Sequence, residues 1–143
     1  MKTGYLVLET HPEHSGMIRA LIREELPDTQ DSEQGSEIRY IARFDDIEAG
    51  LMHLHNRLHH ALIDLDNRLY RTDLKQAISA IESDELRHQR VWLDPSIGHR
   101  ERDEIEAKTA RFKRRQRRWN LTWTLVGGFF VALFFLFNLL TGL

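Results

Sequence analysis

The sequence contains no cysteine, and residues 119–143 contain no charged side chain. Without cysteine, a disulfide framework and any thiolate metal or redox site are excluded. The sequence also lacks a glycine-rich phosphate loop, a nucleophile elbow and an HExxH motif. Because these are the common signatures of phosphate binding, acyl transfer and zinc hydrolysis, their absence favours a protein that is not an enzyme.

Charge is unevenly distributed along the 143 residues, although the net charge is only −2. Residues 1–107 carry 13 basic and 22 acidic side chains, whereas residues 108–118 carry seven basic side chains and no acidic one. The length allows one ordinary domain. This composition excludes a simple soluble globule.

Residues 121–143 read LTWTLVGGFFVALFFLFNLLTGL. About 20 apolar residues suffice to cross a bilayer as a helix. A buried core helix is the alternative, but such a length would be unusual in a domain of this size. The position of the segment excludes a cleaved signal peptide. The sequence therefore predicts a transmembrane helix over residues 121–143.

Seven basic residues precede this span, and we call them the basic collar: Lys108, Arg111, Lys113, Arg114, Arg115, Arg117 and Arg118. Positive flanks stay in the cytoplasm and are held by anionic lipid headgroups, while Trp119 and Trp123 suit the headgroup boundary. We expect a single-pass, tail-anchored protein of the cell inner membrane with a cytoplasmic N-terminal domain. The collar could also bind nucleic acid, but membrane anchoring is simpler, which makes nucleic acid a disfavoured partner.

Three residues within the span hint at a partner in the membrane. Gly127 and Gly128 form a small patch that allows close helix approach, and Asn138 can hydrogen-bond to a neighbouring helix. We expect contact with a membrane protein complex or self-association through this helix.

The N-terminal part predicts alternating strands and helices. Residues 5–8 form a short apolar run typical of a buried strand, and residues 10–13 (Thr-His-Pro-Glu) form a helix-start signal. Apolar residues at helical spacing then continue to Leu26. Residues 38–44 alternate as a second strand, and residues 45–48 form another capping box. This order favours a parallel α/β sheet.

Residues 46–70 allow two interpretations. Leucines at steps of three and four fit one long amphipathic helix. Alternatively, the helix stops near Leu58 and a third strand ends at Asp64. Thr72 would then cap a helix with Leu74, Ala77, Ile78 and Ile81 inward, residues 91–93 would form a fourth strand, and a last helix would start near Gly98.

The pattern resembles the receiver domain of bacterial response regulators. Residues 6–12 (LVLETHP) look like its first strand and acidic turn, residues 16–28 like its first helix, residues 44–51 like the start of its second helix, and residues 61–65 (ALIDL) like its third strand. The resemblance implies a flavodoxin-like parallel sheet over residues 1–97, followed by a basic juxtamembrane helix over residues 98–120. It places Asp64 in the role of phosphoacceptor, with Asp66 as a second candidate.

The residues also depart from the receiver pattern. Glu9 and Thr10 stand where the family has two acidic residues for Mg²⁺, and threonine cannot supply a second carboxylate. Asp94, or Ser96 in a shifted alignment, stands where the family has a serine or threonine, and an aspartate there would repel a phosphoryl group. The fifth strand with its lysine is absent. The resemblance thus implies a degenerate receiver with no cofactor and no efficient phosphotransfer.

Histidines suggest a second interpretation. His53, His55, His59 and His60 cluster within a short stretch, and His55 and His59 stand four residues apart. Glu85 and His88 form a Glu-x-x-His pair, which resembles half of a carboxylate-bridged di-iron motif. A helical, ferritin-like metal-binding domain is possible, but surface histidines on an amphipathic helix are the favoured interpretation.

These observations favour a non-enzymatic, membrane-anchored adaptor or accessory subunit whose cytoplasmic domain binds a protein partner. A helical metal-binding membrane protein is the first alternative. A membrane tether for a ribosome or a nucleic acid is the second.

Overall fold

The computed structural model describes residues 2–12, 14–29 and 35–141 and has an α/β fold. Six strands form one sheet in the order β4-β5-β2-β1-β3-β6. The strands are β1 (Gly4–Thr10), β2 (Met17–Arg23), β3 (Glu37–Phe44), β4 (Leu62–Asp64), β5 (Leu69–Arg71) and β6 (His88–Leu93). The helices are α1 (Ile47–Leu58), α2 (Leu74–Glu82) and α3 (His99–Thr141), with a short 3₁₀ helix at His59–Ala61.

Every strand pair in the sheet is antiparallel, so the expected parallel, receiver-like sheet is wrong. The difference starts after β1, where a tight turn replaces the expected helix. His14 N donates to His11 O at 3.0 Å, and Met17 N donates to His14 O at 3.1 Å. The chain therefore returns at once as β2, beside β1. Glu13, the acidic member of the expected helix-start signal, lies outside the described residues.

Several local predictions are confirmed. β1 and β3 cover the two predicted strands. α1 starts where the second capping box places it, because the side chain of Asp46 accepts a hydrogen bond from Ala49 N at 3.2 Å. α2 turns Ala77, Ile78 and Ile81 inward as expected, with Leu74 partly buried against the core, but the residue at its N-cap is Asp73 and not the expected Thr72. α3 begins one residue after Gly98.

The ambiguity in residues 46–70 is resolved in favour of the shorter helix. α1 ends at Leu58, and β4 ends at Asp64. However, β4 lies at the edge of the sheet and pairs antiparallel with β5 in a hairpin, so it is not the central strand of a receiver.

The main core lies between one face of the sheet and the helices. The strands contribute fully buried apolar side chains, and α1 and α2 contribute the opposing layer. The largest buried members include Leu6, Leu8, Ile18, Tyr40, Phe44, Ile47, Leu54, Leu58, Tyr70, Ile78 and Ile81. Ile97 and Ile105 extend this core to the start of α3.

A second apolar cluster occupies the opposite face of the sheet, which we call the second face. It consists of buried Val7, Ile38 and Ile41 with partly buried Tyr5, Leu21 and Trp92. All six residues belong to strands. The register explains the cluster, since Val7 lies directly opposite Leu21 on β2 and opposite Ile41 on β3.

α3 connects this domain to the apolar segment without interruption. Its first turns pack on α2: the side chain of Ser79 donates to Ile105 O at 3.3 Å, and Lys75 Nζ lies 2.8 Å from Glu104 Oε2. From Leu121 to Leu139 the large apolar side chains that the structure describes are exposed. By length and composition, α3 is able to cross a membrane.

Candidate functional site

The four residues of the receiver-like set lie apart in the sheet. Glu9 is on β1, Asp64 ends β4 and Asp94 follows β6. Three strand spacings separate β4 from β1, which corresponds to about 14 Å. β3 separates β1 from β6. Thr10 follows Glu9 on β1, and both residues line a pocket at the end of that strand. The fold does not bring all four residues into one pocket.

Asp64 stabilises the turn of the β4–β5 hairpin. Its Oδ1 accepts hydrogen bonds from Asp66 N at 2.9 Å and Asn67 N at 3.1 Å, and its Oδ2 accepts one from Asn67 Nδ2 at 2.7 Å. The side-chain bond from Asn67 is the main reason why the pKa of Asp64 lies below its ordinary value. The carboxylate is thus occupied by its own turn.

Asp94 has a similar role after β6. Its carboxylate accepts from Ser96 N at 2.7 Å and from Ser96 Oγ at 2.8 Å, and its Oδ2 lies 2.9 Å from Arg39 Nε. These contacts fix the link between β6 and α3. Asp94 therefore shapes a turn and neutralises an arginine of β3.

The histidines do not gather around a common point. His59 Nδ1 lies 2.8 Å from Asn56 O, and His55 Nδ1 lies 3.5 Å from the Tyr70 hydroxyl. His88 lies in β6 and stacks on Phe44 with ring centroids 5.1 Å apart, whereas Glu85 lies in the preceding turn. The part of the chain that the structure describes contains no group of three or more metal-ligating side chains. The metal-binding alternative requires a helical domain. That prediction is wrong, because the fold contains a six-stranded sheet.

A pocket of about 230 Å³ lies at the end of β1 and includes two of the predicted site residues, Glu9 and Thr10. Glu9, only 3% exposed, shares it with residues that the sequence did not predict: Arg19 directly opposite on β2, Ser36, His11 and His14. The Ser36 hydroxyl donates to Glu9 Oε2 at 3.3 Å. His11 and His14 were missed because the sequence predicted a helix there. The turn instead brings their rings to 5.4 Å.

The second face presents an apolar cluster with both basic and acidic side chains around it, since Glu24, Glu25 and Asp28 line a cavity against Val7 and Ile38. Tyr5 lies directly opposite Arg23 on β2 and opposite Arg43 on β3. Both arginines are exposed. Trp92 of β6 pairs with Ile41 at the other side of the patch. Aromatic and arginine side chains around a small apolar centre are typical of protein–protein contact surfaces.

The basic collar lies on the middle of α3, and all its members except Lys108 are exposed. Lys108 Nζ lies 3.5 Å from Asp73 Oδ2. Trp119 and Trp123 stack with ring centroids 6.5 Å apart and are both exposed. Gly127 and Gly128 face open space, since an added Cβ would meet nothing within 4 Å. The side chain of Asn138 is outside the described part.

Comparison with family models, with curated proteins and with solved structures finds no match. No such comparison identifies a receiver domain, so the functional argument rests on this chain's own residues.

Proposed function

We propose that this chain is a non-enzymatic, single-pass membrane adaptor or accessory subunit, whose cytoplasmic α/β domain binds a protein partner at the inner membrane. The continuity of α3 carries the proposal. The same helix buries Ile105 in the domain core, carries the basic collar, and then exposes an uncharged apolar segment. Anchor and domain therefore form one mechanical unit, and the domain is held close to the bilayer.

The non-enzymatic character is supported by the roles of the acidic residues. The carboxylates of Asp64 and Asp94 accept hydrogen bonds within their own turns. Nothing in this arrangement resembles a paired-carboxylate Mg²⁺ site with a phosphoacceptor. No cofactor is part of the proposal.

The second face is the surface that we assign to the partner. Val7, Ile38 and Ile41 at its centre are buried, so the accessible apolar surface is that of the partly buried Tyr5, Leu21 and Trp92. A protein segment with apolar side chains and an acidic group complements the side of this face where Tyr5 lies opposite the exposed Arg43. Arg23, on the other side of Tyr5, lines a cavity together with Glu24, Glu25 and Asp28. Tethering of a ribosome or a nucleic acid is less favoured, since the collar adjoins the apolar segment, where lipid headgroups compete for it.

Membrane insertion and orientation can be tested with single cysteines, since the chain has none of its own. Glu106→Cys places a thiol on the exposed side of α3 before the collar, and Ala132→Cys places one near the middle of the span as a matched control. A membrane-impermeant maleimide should label Glu106→Cys in inverted inner-membrane vesicles but not in intact spheroplasts. Ala132→Cys should stay unlabelled in both. Labelling of Glu106→Cys in intact spheroplasts would show the opposite orientation. Extraction of the protein from the membrane at alkaline pH would contradict a transmembrane anchor.

The partner surface can be tested by site-specific photo-crosslinking in membranes. A benzoylphenylalanine at Tyr5 should give a discrete crosslinked product, which Arg43→Glu should abolish. The same probe at Met52, which is 54% exposed on α1, serves as the control and should give no such product. A product from Met52 that is insensitive to Arg43→Glu would assign the partner to the helical side.

A further inference from the structure

A groove of about 460 Å³ lies between α1 and α3, at the point where α3 leaves the domain. Side chains spaced by three, four or seven residues line it, so each helix contributes one of its faces. Three come from α1 and three from α3: His53, Asn56, Arg57, Phe112, Arg115 and Trp119. The groove thus lies between two helices that both pack on α2, and not in one flexible loop.

The α1 wall of the groove is held in place by the end of α2. The guanidinium of Arg57 donates to the Ser83 hydroxyl and, at 3.4 Å, to Ser83 O. His53 Nδ1 lies 3.0 Å from Oδ2 of Asp84, whose side chain is only 4% exposed. These contacts fix the wall before any ligand arrives, which lowers the entropic cost of binding.

The lining of the groove is positively charged within an acidic domain. Arg57 and Arg115 contribute guanidinium groups from opposite walls, and Asn56 adds an amide. None of the described lining residues carries a carboxylate, and Asp84 lies behind His53. Phe112 and Trp119 supply apolar surface beside these groups. The chemistry suits an anion that is joined to an apolar body.

The position along α3 identifies the source of that anion. Trp119 precedes the apolar segment at Leu121 by two residues, or about 3 Å, and Arg115 precedes it by six residues, or about 9 Å. The polar headgroup layer on each side of a bilayer is about 5–8 Å thick. The Trp119 end of the groove therefore lies at the depth of the headgroups, and Arg115 lies at or just beyond their outer edge.

We propose that the groove binds the phosphate of one anionic phospholipid, with Arg57 and Arg115 on the phosphate and Trp119 against the start of the acyl chains. This proposal rests on the membrane anchoring proposed above. It goes beyond general attraction to the collar, because it requires one lipid at one place and depends on Arg57, a residue outside the collar.

The test compares two neighbouring arginines of the full chain in mild detergent. Arg115 lines the groove, whereas Arg114 is equally exposed and does not line it. Native mass spectrometry should retain one phosphatidylglycerol on the wild-type chain and no phosphatidylcholine. Arg115→Gln should weaken retention about tenfold, which is the loss of one charge-assisted hydrogen bond. Arg114→Gln should weaken it less than about twofold.

Asn56→Asp provides a second variant that leaves both arginines in place. The added carboxylate faces the groove and should weaken the retention of phosphatidylglycerol by a similar factor. Equal effects of Arg114→Gln and Arg115→Gln would overturn the proposal in favour of general attraction, and so would displacement of the lipid by millimolar inorganic phosphate. Failure of anchoring is seen separately, as a chain that does not float with liposomes of either lipid.

Discussion

The hydroxyl of Tyr40 donates a hydrogen bond of 2.8 Å to Oε1 of Glu82, which fastens β3 to the last turn of α2. Arg90 of β6 donates from Nε to the same oxygen at 2.7 Å. Tyr40 is fully buried, and burial raises the pKa of its hydroxyl well above the ordinary value, so that it remains a neutral donor. The Glu82 carboxylate thus joins β3 and β6 to α2, the helix on which the first turns of α3 pack.

Removal of the Tyr40 hydroxyl should destabilise the domain. Tyr40→Phe leaves the ring in the core but removes a bond to a charged acceptor, which costs about 1.5–3 kcal/mol. Urea unfolding of the full chain in detergent measures this cost. Tyr5→Phe on the half-exposed second face is the matched control and should change stability by less than about 0.5 kcal/mol. Equal effects of the two substitutions would show that the Tyr40–Glu82 bond contributes little.

Stability should fall in acid partly through Glu82. Burial acts to raise the pKa of Glu82, but hydrogen bonds from Arg90 and Tyr40 outweigh it, so that the pKa lies below its ordinary value. A carboxyl with a lowered folded-state pKa contributes stability above its unfolded pKa of about 4.3 and loses it as pH falls through the folded pKa. Urea midpoints below pH 5 should therefore decline less steeply in Glu82→Gln than in the wild type. If the urea midpoints of the two proteins decline equally with falling pH, Glu82 does not contribute to the loss of stability.

Gly50 should resist replacement although it lies within α1. Glycine to alanine usually stabilises a helix by about 1 kcal/mol. Here a Cβ would stand 2.7 Å from Cδ1 of Phe44, whose ring is buried in the core. Overpacking of this kind costs about 1–3 kcal/mol and exceeds the helix gain. Gly50→Ala should lower the urea midpoint, and Phe44→Leu should reduce that cost when the two are combined. A cost that is unchanged in the Phe44→Leu background would exclude the clash as its cause.

The sequence predicted local features of the fold because their causes are local. The cap at Asp46 depends on residues within one turn, and α2 shows a clear apolar stripe. The sequence predicts a helix at β2 because apolar side chains occur on both faces of this strand. Ile18 and Ala20 face the helices while Leu21 packs in the second cluster, so the strand shows no alternation. Its apolar run then matches helical spacing by accident.

The candidate site was less predictable, because it depends on which strands become neighbours. Asp64 was read as the end of a central strand, but its hairpin places it at the sheet edge. The groove joins side chains of α1 to side chains of α3 that lie more than 50 positions away in the sequence. The residue spacing within either helix does not predict that these two faces come together. By contrast, the basic collar and the apolar segment can be identified from the sequence alone, because each is continuous in sequence.

Two arginines in the middle of the apolar segment should abolish membrane insertion. Arginine at the centre of a transmembrane helix costs about 2.5–3.5 kcal/mol in insertion assays, and Ala132 and Leu133 lie near the middle of the uncharged stretch. Ala132→Arg combined with Leu133→Arg should move the chain from the alkali-resistant membrane fraction to the soluble or aggregated fraction. Thr122→Arg adds charge at the collar end, where it can reach the headgroups, and should leave the distribution unchanged. If the double variant stays in the alkali-resistant fraction, α3 does not insert through this segment, and the anchoring on which both proposals rest is lost.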